Sequence, residues 1–167
     1  MGKEEDKSSS DSLQIVVFRV GEDYLSCPIE QVREIIQLEG VTSVPSTPEK
    51  IRGIINRRGE IITVVDLPKI LDLDIELNEK ESQLMILFDE SIGVMASEVT
   101  EIPTVSTDEI EPPSEVLESP ISEKYLEGIV KHDDKLVLLT DLIAMVKNLS
   151  KEGLERAEEF SEEHSID

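Results

Sequence analysis

The strongest constraint on the fold is an internal repeat. Ile51-Arg52-Gly53-Ile54-Ile55-Asn56-Arg57-Arg58-Gly59-Glu60-Ile61-Ile62-Thr63-Val64-Val65-Asp66-Leu67 aligns without gaps, 75 residues on, with Leu126-Glu127-Gly128-Ile129-Val130-Lys131-His132-Asp133-Asp134-Lys135-Leu136-Val137-Leu138-Leu139-Thr140-Asp141-Leu142. Two shorter echoes precede each copy in the same order. Ile15-Val16-Val17-Phe18 matches Met85-Ile86-Leu87-Phe88, and Val32-Arg33-Glu34-Ile35 matches Val99-Thr100-Glu101-Ile102. A stacked solenoid needs at least three repeats, so two copies predict a pseudo-symmetric pair of subdomains.

Each copy reads as β structure. Ile54-Ile55 and Ile61 to Val65 are short β-branched runs, hence strands. Between them Asn56-Arg57-Arg58-Gly59 is a hairpin turn, with Gly59 as the residue free to take positive φ. Asp134 stands at that position in the second copy, and Asp tolerates the left-handed region. Gly53 and Gly128 share a strand-start position, where Gly marks a bulge or a close backbone approach. Asp66 and Asp141 can cap short helices over Leu67–Leu71 and Leu142–Lys147. Gln14–Val20 with Tyr24–Cys27, and Leu84–Phe88 with Ile92–Met95, read as further hairpins, and Arg33–Leu38 as a strand after a helical turn at Pro28. Five strands per copy predict a mainly β fold of two five-stranded barrels. Glu109–Ser122 reads as a connecting loop. Ser150 is placed to cap a C-terminal helix presenting Leu154, Ala157 and Phe160 on one face.

Charge limits the function. The chain has 167 residues and a net charge of −22. Such a surface repels phosphate backbones and anionic lipid, which argues against nucleic-acid binding and membrane insertion. Residues 1–12, net −2, read as a disordered arm, and residues 148–167, net −5, as an acidic helix or tail. Residues 72–127 carry −14, whereas residues 28–60 are neutral and hold the clustered Arg52, Arg57 and Arg58. A single cysteine, Cys27, excludes an internal disulfide, fits a reducing cytoplasm and reads as a small buried hydrophobe. No Ser/Cys–His arrangement, phosphate-binding Gly loop or metal-ligand spacing is present, so neither catalysis nor a cofactor or metal is expected. His132 reads as a turn residue without a ligand-type neighbour.

On four ordered motifs the chain resembles the CheW family of chemotaxis coupling proteins. They are Phe18-Arg19-Val20-Gly21 followed by Tyr24; Pro28-Ile29 followed by Val32-Arg33-Glu34-Ile35; Val44-Pro45 with Pro48; and Ile51 to Leu67. The resemblance spans about residues 13–147. One position departs: Arg57 stands where the family usually has Leu. The resemblance implies two SH3-like barrels on a shared apolar core, with lobes at about 13–75 and 80–147 and room for the chain to cross between them. It implies a cytoplasmic, monomeric, non-enzymatic adaptor. That adaptor joins the tip of methyl-accepting chemoreceptors to the histidine kinase CheA, in arrays at the inner face of the membrane. The same module coupling a receptor to a kinase pathway that does not serve motility is the alternative.

Carried over by position, the implied receptor contacts are Val32, Glu34, Ile35 and Arg58, with Val99 as the pseudo-equivalent on the opposite wall of an inter-lobe groove. An Arg58–Glu34 ion pair is expected to orient both. Kinase contacts are implied at the hairpin ends: Asn56, Arg57 and Gly59 on one lobe, and Lys131, His132, Asp133, Asp134 and Lys135 on the other. A kinase or response-regulator fusion would need a phosphotransfer helix, an ATP module or a receiver domain, for which the chain is too short. A small hydrolase lacks its catalytic groups.

Overall fold

A computed structural model describes residues 11–88, 90–113, 125–147, 149, 159, 160 and 162. The strands are β1 (Ser12–Val20), β2 (Asp23–Pro28), β3 (Val32–Gln37), β4 (Ile51–Arg57), β5 (Glu60–Asp66), β6 (Gln83–Leu87), β7 (Ile92–Ala96), β8 (Glu98–Glu101), β9 (Thr104–Ser106), β10 (Ile110–Glu111), β11 (Leu126–His132) and β12 (Lys135–Thr140). Two short helices, α1 (Leu67–Ile70) and α2 (Leu142–Lys147), each follow the last strand of a repeat. The fold is mainly β, as expected.

The strands form two sheets. One runs β10-β11-β12-β2-β1-β8, with β9 also on β1; the other runs β3-β6-β7-β5-β4. We call them lobe one and lobe two. The chain does not divide at residues 75–80. Each lobe joins the first hairpin of one repeat to the last three repeat strands of the other. Thus β12 lies parallel to β2, with Leu138 opposite Leu25, while β5 lies parallel to β7, with Thr63 opposite Ile92. The repeats have exchanged strands reciprocally, so neither lobe is a contiguous stretch of sequence.

Lobe one exceeds the expected five strands for local reasons. β8 and β9 are one edge strand along β1, interrupted at Ile102-Pro103 because proline has no N–H for the ladder. The Pro103 carbonyl still accepts from Ile15 N at 3.0 Å. The two-residue β10 lies within the expected Glu109–Ser122 loop and pairs with β11. The N-terminal boundary also moves: Ser12, expected in the arm, pairs with Ser106. Residues 1–10 of that arm, residues 114–122 of the connecting loop and most of the C-terminal helix lie outside the described residues. Glu159, Phe160 and Glu162 are helical.

The cores follow from period-two alternation, which sends successive side chains to opposite faces of a strand. On β1, Ile15 and Val17 fill lobe one, while Val16 and Phe18 point to the inter-lobe core. On β6, Leu84 and Ile86 fill lobe two, and Met85 and Leu87 join Val16 and Phe18 between the lobes. Leu142, Met145 and Val146 of α2 pack into the same shared core. Cys27 is buried there, and desolvation above all pushes its thiol up to about 12, so it is inert.

The repeat glycines act as expected. Both hairpins carry a register shift at their glycine, between Ile51 and Gly53 and between Leu126 and Gly128. Gly53 has φ +154° and lies against residues 41 and 42. There Thr42 and Ile54 exchange two backbone hydrogen bonds of 2.9 Å, returning the chain after β3 to β4 and closing lobe two. Asp66 and Asp141 are caps, accepting from Lys69 N at 3.2 Å and Ala144 N at 3.0 Å.

Candidate functional site

The hairpin β4–β5 turns on two residues, Arg58 (φ 56°) and Gly59 (φ 86°). Positive φ at both central residues is the type I′ geometry, whose twist matches the flanking strands. Asn56 Oδ1 braces the turn by accepting from Gly59 N at 2.9 Å. The matching turn of lobe one, Asp133-Asp134, has φ of 50° and 64°. His132 is therefore the last residue of its strand, not a turn residue.

This geometry decides which arginine meets Glu34. Arg57, still on β4, ion-pairs with Glu34 Oε2. Arg58, in the left-handed turn, keeps its side chain 76% exposed and reaches that oxygen only at 4.0 Å. The expected Arg58–Glu34 ion pair is present at that long distance, and Arg57 makes the closer pair with the same carboxylate. The residue that departs from the family pattern anchors the carboxylate, and Arg58 projects outward. Beside it Arg33 binds Glu60 through two hydrogen bonds of 2.9 and 3.1 Å, and Ser91 Oγ donates to the same carboxylate at 3.0 Å. Both pairs bridge the edge strand β3 to the β4–β5 hairpin.

The hydrogen bond from Arg57, with the neighbouring guanidinium charges, holds the Glu34 carboxyl below its ordinary value of 4.5. A lowered folded-state value means that this contribution to stability is complete above the unfolded value. It is lost as pH falls through the folded one. We expect the Glu34 side-chain carboxyl resonance to titrate below the ordinary range in the native chain. In Arg57→Leu the midpoint should move up. An unchanged midpoint would show that Arg57 does not hold the carboxylate.

Lobe one repeats the strut with a histidine in the arginine's place. Glu101 is the repeat equivalent of Glu34, and His132 of Arg57. His132 Nε2 lies 3.1 Å from Glu101 Oε1 and 3.5 Å from Asp133 Oδ2. His132 therefore has carboxylate neighbours, contrary to expectation. Among the described residues these three could offer atoms to a cation, all within 4.8 Å. Their placement is nonetheless that of the Glu34–Arg57 strut, where the arginine cannot ligate a metal. Both struts could have been found by carrying the repeat register through the charged positions.

Val32, Ile35 and Val99 are half-buried, and all three pack on the inter-lobe core from the edge strands β3 and β8. Val99 N donates to Gln83 Oε1 at 2.6 Å, tying the edge of lobe one to lobe two. A cleft there is lined by Arg19, Gln37, Glu81, Gln83, Ser97, Glu98 and Val99. Gln31, which the sequence reading passed over, links the lobes from the 3-10 turn before β3. Its Nε2 donates to Asp141 Oδ1 at 2.9 Å, and its Oε1 accepts from Leu142 N at 2.9 Å. The residues expected at the other hairpin end sit together. Lys131, Asp133, Asp134, Lys135 and Leu136 line one shallow pocket, and Lys135 Nζ lies 4.7 Å above the Tyr24 ring.

The CheW-like domain model matches residues 14–150, most of the chain. The chain belongs to the CheW-like domain family. Among its relatives, the chemotaxis protein CheW of Helicobacter pylori is 28% identical over 147 residues, covering 87% of each chain. That of Treponema pallidum is 25% identical over 140 residues, covering 80% of this chain and 82% of the relative. The crystal structure of the scaffolding protein TtCheW from Thermoanaerobacter tengcongensis superposes with a TM-score of 0.70 at 34% identity. It covers 78% of this chain and 84% of that one. The CheW-like fold therefore includes both lobes, the exchanged strands and both hairpin ends. Among the described residues no helix is long and apolar enough to cross a membrane.

Proposed function

We propose that this chain is a non-enzymatic scaffold that couples the cytoplasmic tip of chemoreceptors to a histidine kinase of the CheA type. The observation that carries the reading is the extent of the family match, which takes in both lobes and not one motif. On this reading the protein works in the cytoplasm, as a monomer recruited to receptor arrays. The receptor lies along the inter-lobe edge. Val32, Ile35 and Val99 offer apolar surface there, suited to the apolar stripe of a helical hairpin. Arg58 supplies the cation. Its planar guanidinium can take a receptor carboxylate in bidentate fashion, and its 76% exposure leaves it available. Glu34, held by Arg57, sets the charge beside it. The kinase pairs with the two hairpin ends, Asn56 to Gly59 and Lys131 to Lys135.

Arg58→Ala tests the receptor assignment. Titration calorimetry against a receptor cytoplasmic fragment should show a loss of about tenfold in affinity, roughly 1.4 kcal/mol. The melting temperature should stay nearly constant, because exposed ion pairs contribute only about 0–1 kcal/mol to stability. Undiminished receptor binding, or a variant that fails to fold, would remove Arg58 from the site.

A further inference from the structure

The repeat makes the two hairpin faces directly comparable, and they differ. Ile61 of lobe two and Leu136 of lobe one are repeat equivalents. Leu136 is 42% exposed. Ile61 is half-buried in a small cluster with Val44 and Ile54, and Phe160 packs against that cluster from the C-terminal segment. Val44 is 7% exposed and Ile54 fully buried.

We propose that the acidic C-terminal segment is a self-docking arm. Its Phe160 seats on Val44, Ile54 and Ile61 and covers the outer face of the β4–β5 hairpin until another protein takes that place.

Three observations support this occupant. The first is reach. Leu149, at the edge of the inter-lobe core, lines a pocket with Lys50 and Ile51 at the foot of β4, so the arm departs beside the strand it covers. The eleven residue steps from Leu149 to Phe160 allow roughly 16 Å as a helix and up to about 36 Å extended, against about 10 Å along β4 from Ile51 to Ile54. The second is charge. The arm is net −5, and residues 28–60, which carry β4 and the arginine cluster, are neutral, whereas residues 72–127 are net −14 and repel it. The third is the exposed Leu136, which shows the same hairpin position left without a cover.

The arrangement makes the arm a tethered competitor. A short tether holds its segment at an effective concentration of about millimolar, so a partner meets a face already occupied by a weak ligand. Displacement of Phe160 is then part of partner binding at this lobe and not at the other.

The test needs no partner protein, so it stands apart from the kinase and receptor assignments. Amide resonances are compared between the full-length native chain and full-length Phe160→Ala, and a synthetic peptide of residues 150–167 is then titrated into each. Val44, Ile54 and Ile61 should shift in Phe160→Ala while Leu136 does not. The peptide should return them toward native positions, binding Phe160→Ala about tenfold more tightly than the native chain. Unchanged amides at Val44, Ile54 and Ile61, or equal peptide binding to both chains, would overturn the proposal. So would native shifts at those residues that depend on protein concentration, because the arm would then be docking on a second copy.

Discussion

Gly53→Ala is expected to lower stability by about 3 kcal/mol, and the melting temperature by roughly 10 °C. Two effects combine. A φ of +154° belongs to a region that L side chains rarely adopt. A Cβ there would also strike the Thr42 carbonyl, with the carbonyl carbon and Val41 Cγ1 both at 2.8 Å. The obstacle is backbone, held by the paired hydrogen bonds between Thr42 and Ile54 that close lobe two. Relief of the clash therefore opens the barrel. Gly128→Ala is the control. Its nearest obstacle is the Ile110 side chain, which can rotate, with Glu111 O at 3.1 Å. Chemical denaturation of both variants should show the smaller loss at Gly128, and equal losses would contradict the assignment of the Gly53 contact as the closure point.

Arg52→Ala should be comparably severe. The guanidinium joins three elements: Asp66 Oδ2 at 2.8 Å, Glu79 Oε2 at 3.1 Å and the Leu77 carbonyl at 2.7 Å. It thereby fastens the connection between the repeats to the end of β5. The Asp66 side chain is 2% exposed, and without Arg52 its charge is left buried with only its helix-capping bonds. Removing one partner of a buried pair costs about 3–5 kcal/mol. Desolvation already raises the Asp66 carboxyl above its ordinary value, and loss of Arg52 raises it further. A raised carboxyl favours the folded state as pH falls, so the deficit of Arg52→Ala should narrow toward pH 4. Arg52→Ala combined with Asp66→Ser, which keeps a capping oxygen, should recover part of the loss. A deficit independent of pH, with no recovery in the double variant, would show that the buried charge is not its cause.

The parts of this structure legible in the sequence are those governed by local chemistry. β-branched runs, turn residues and capping aspartates placed β1 to β7 with β11 and β12, their four hairpins and both short helices, but not β9 or β10. The repeat placed the bulges at Gly53 and Gly128. Which strand pairs with which is not local. The reciprocal exchange puts β3 beside β6 and β8 beside β1, and either arrangement buries the same alternating residues. Hydrophobic patterning alone cannot distinguish them. Glu34 meets both Arg57 and Arg58, and which of them lies closer is not legible in the sequence because these adjacent residues differ in backbone region. A type I′ turn takes Arg58 out of the strand and leaves Arg57 in it. The Phe160 contact depends on a distant patch built from Val44, Ile54 and Ile61, and only Phe160 itself was marked in the sequence, as part of an apolar helix face.

Coupling of receptor to kinase is read out by a reconstituted kinase assay. Receptor cytoplasmic fragment and a CheA-type kinase from the same cell are mixed with and without the purified chain, and phosphoryl transfer is followed. The native chain should raise receptor-dependent kinase activity, Arg58→Ala should raise it much less, and the chain alone should turn over no nucleotide. Kinase activity indifferent to the chain, with no binding to receptor or kinase in the same mixture, would contradict the coupling role.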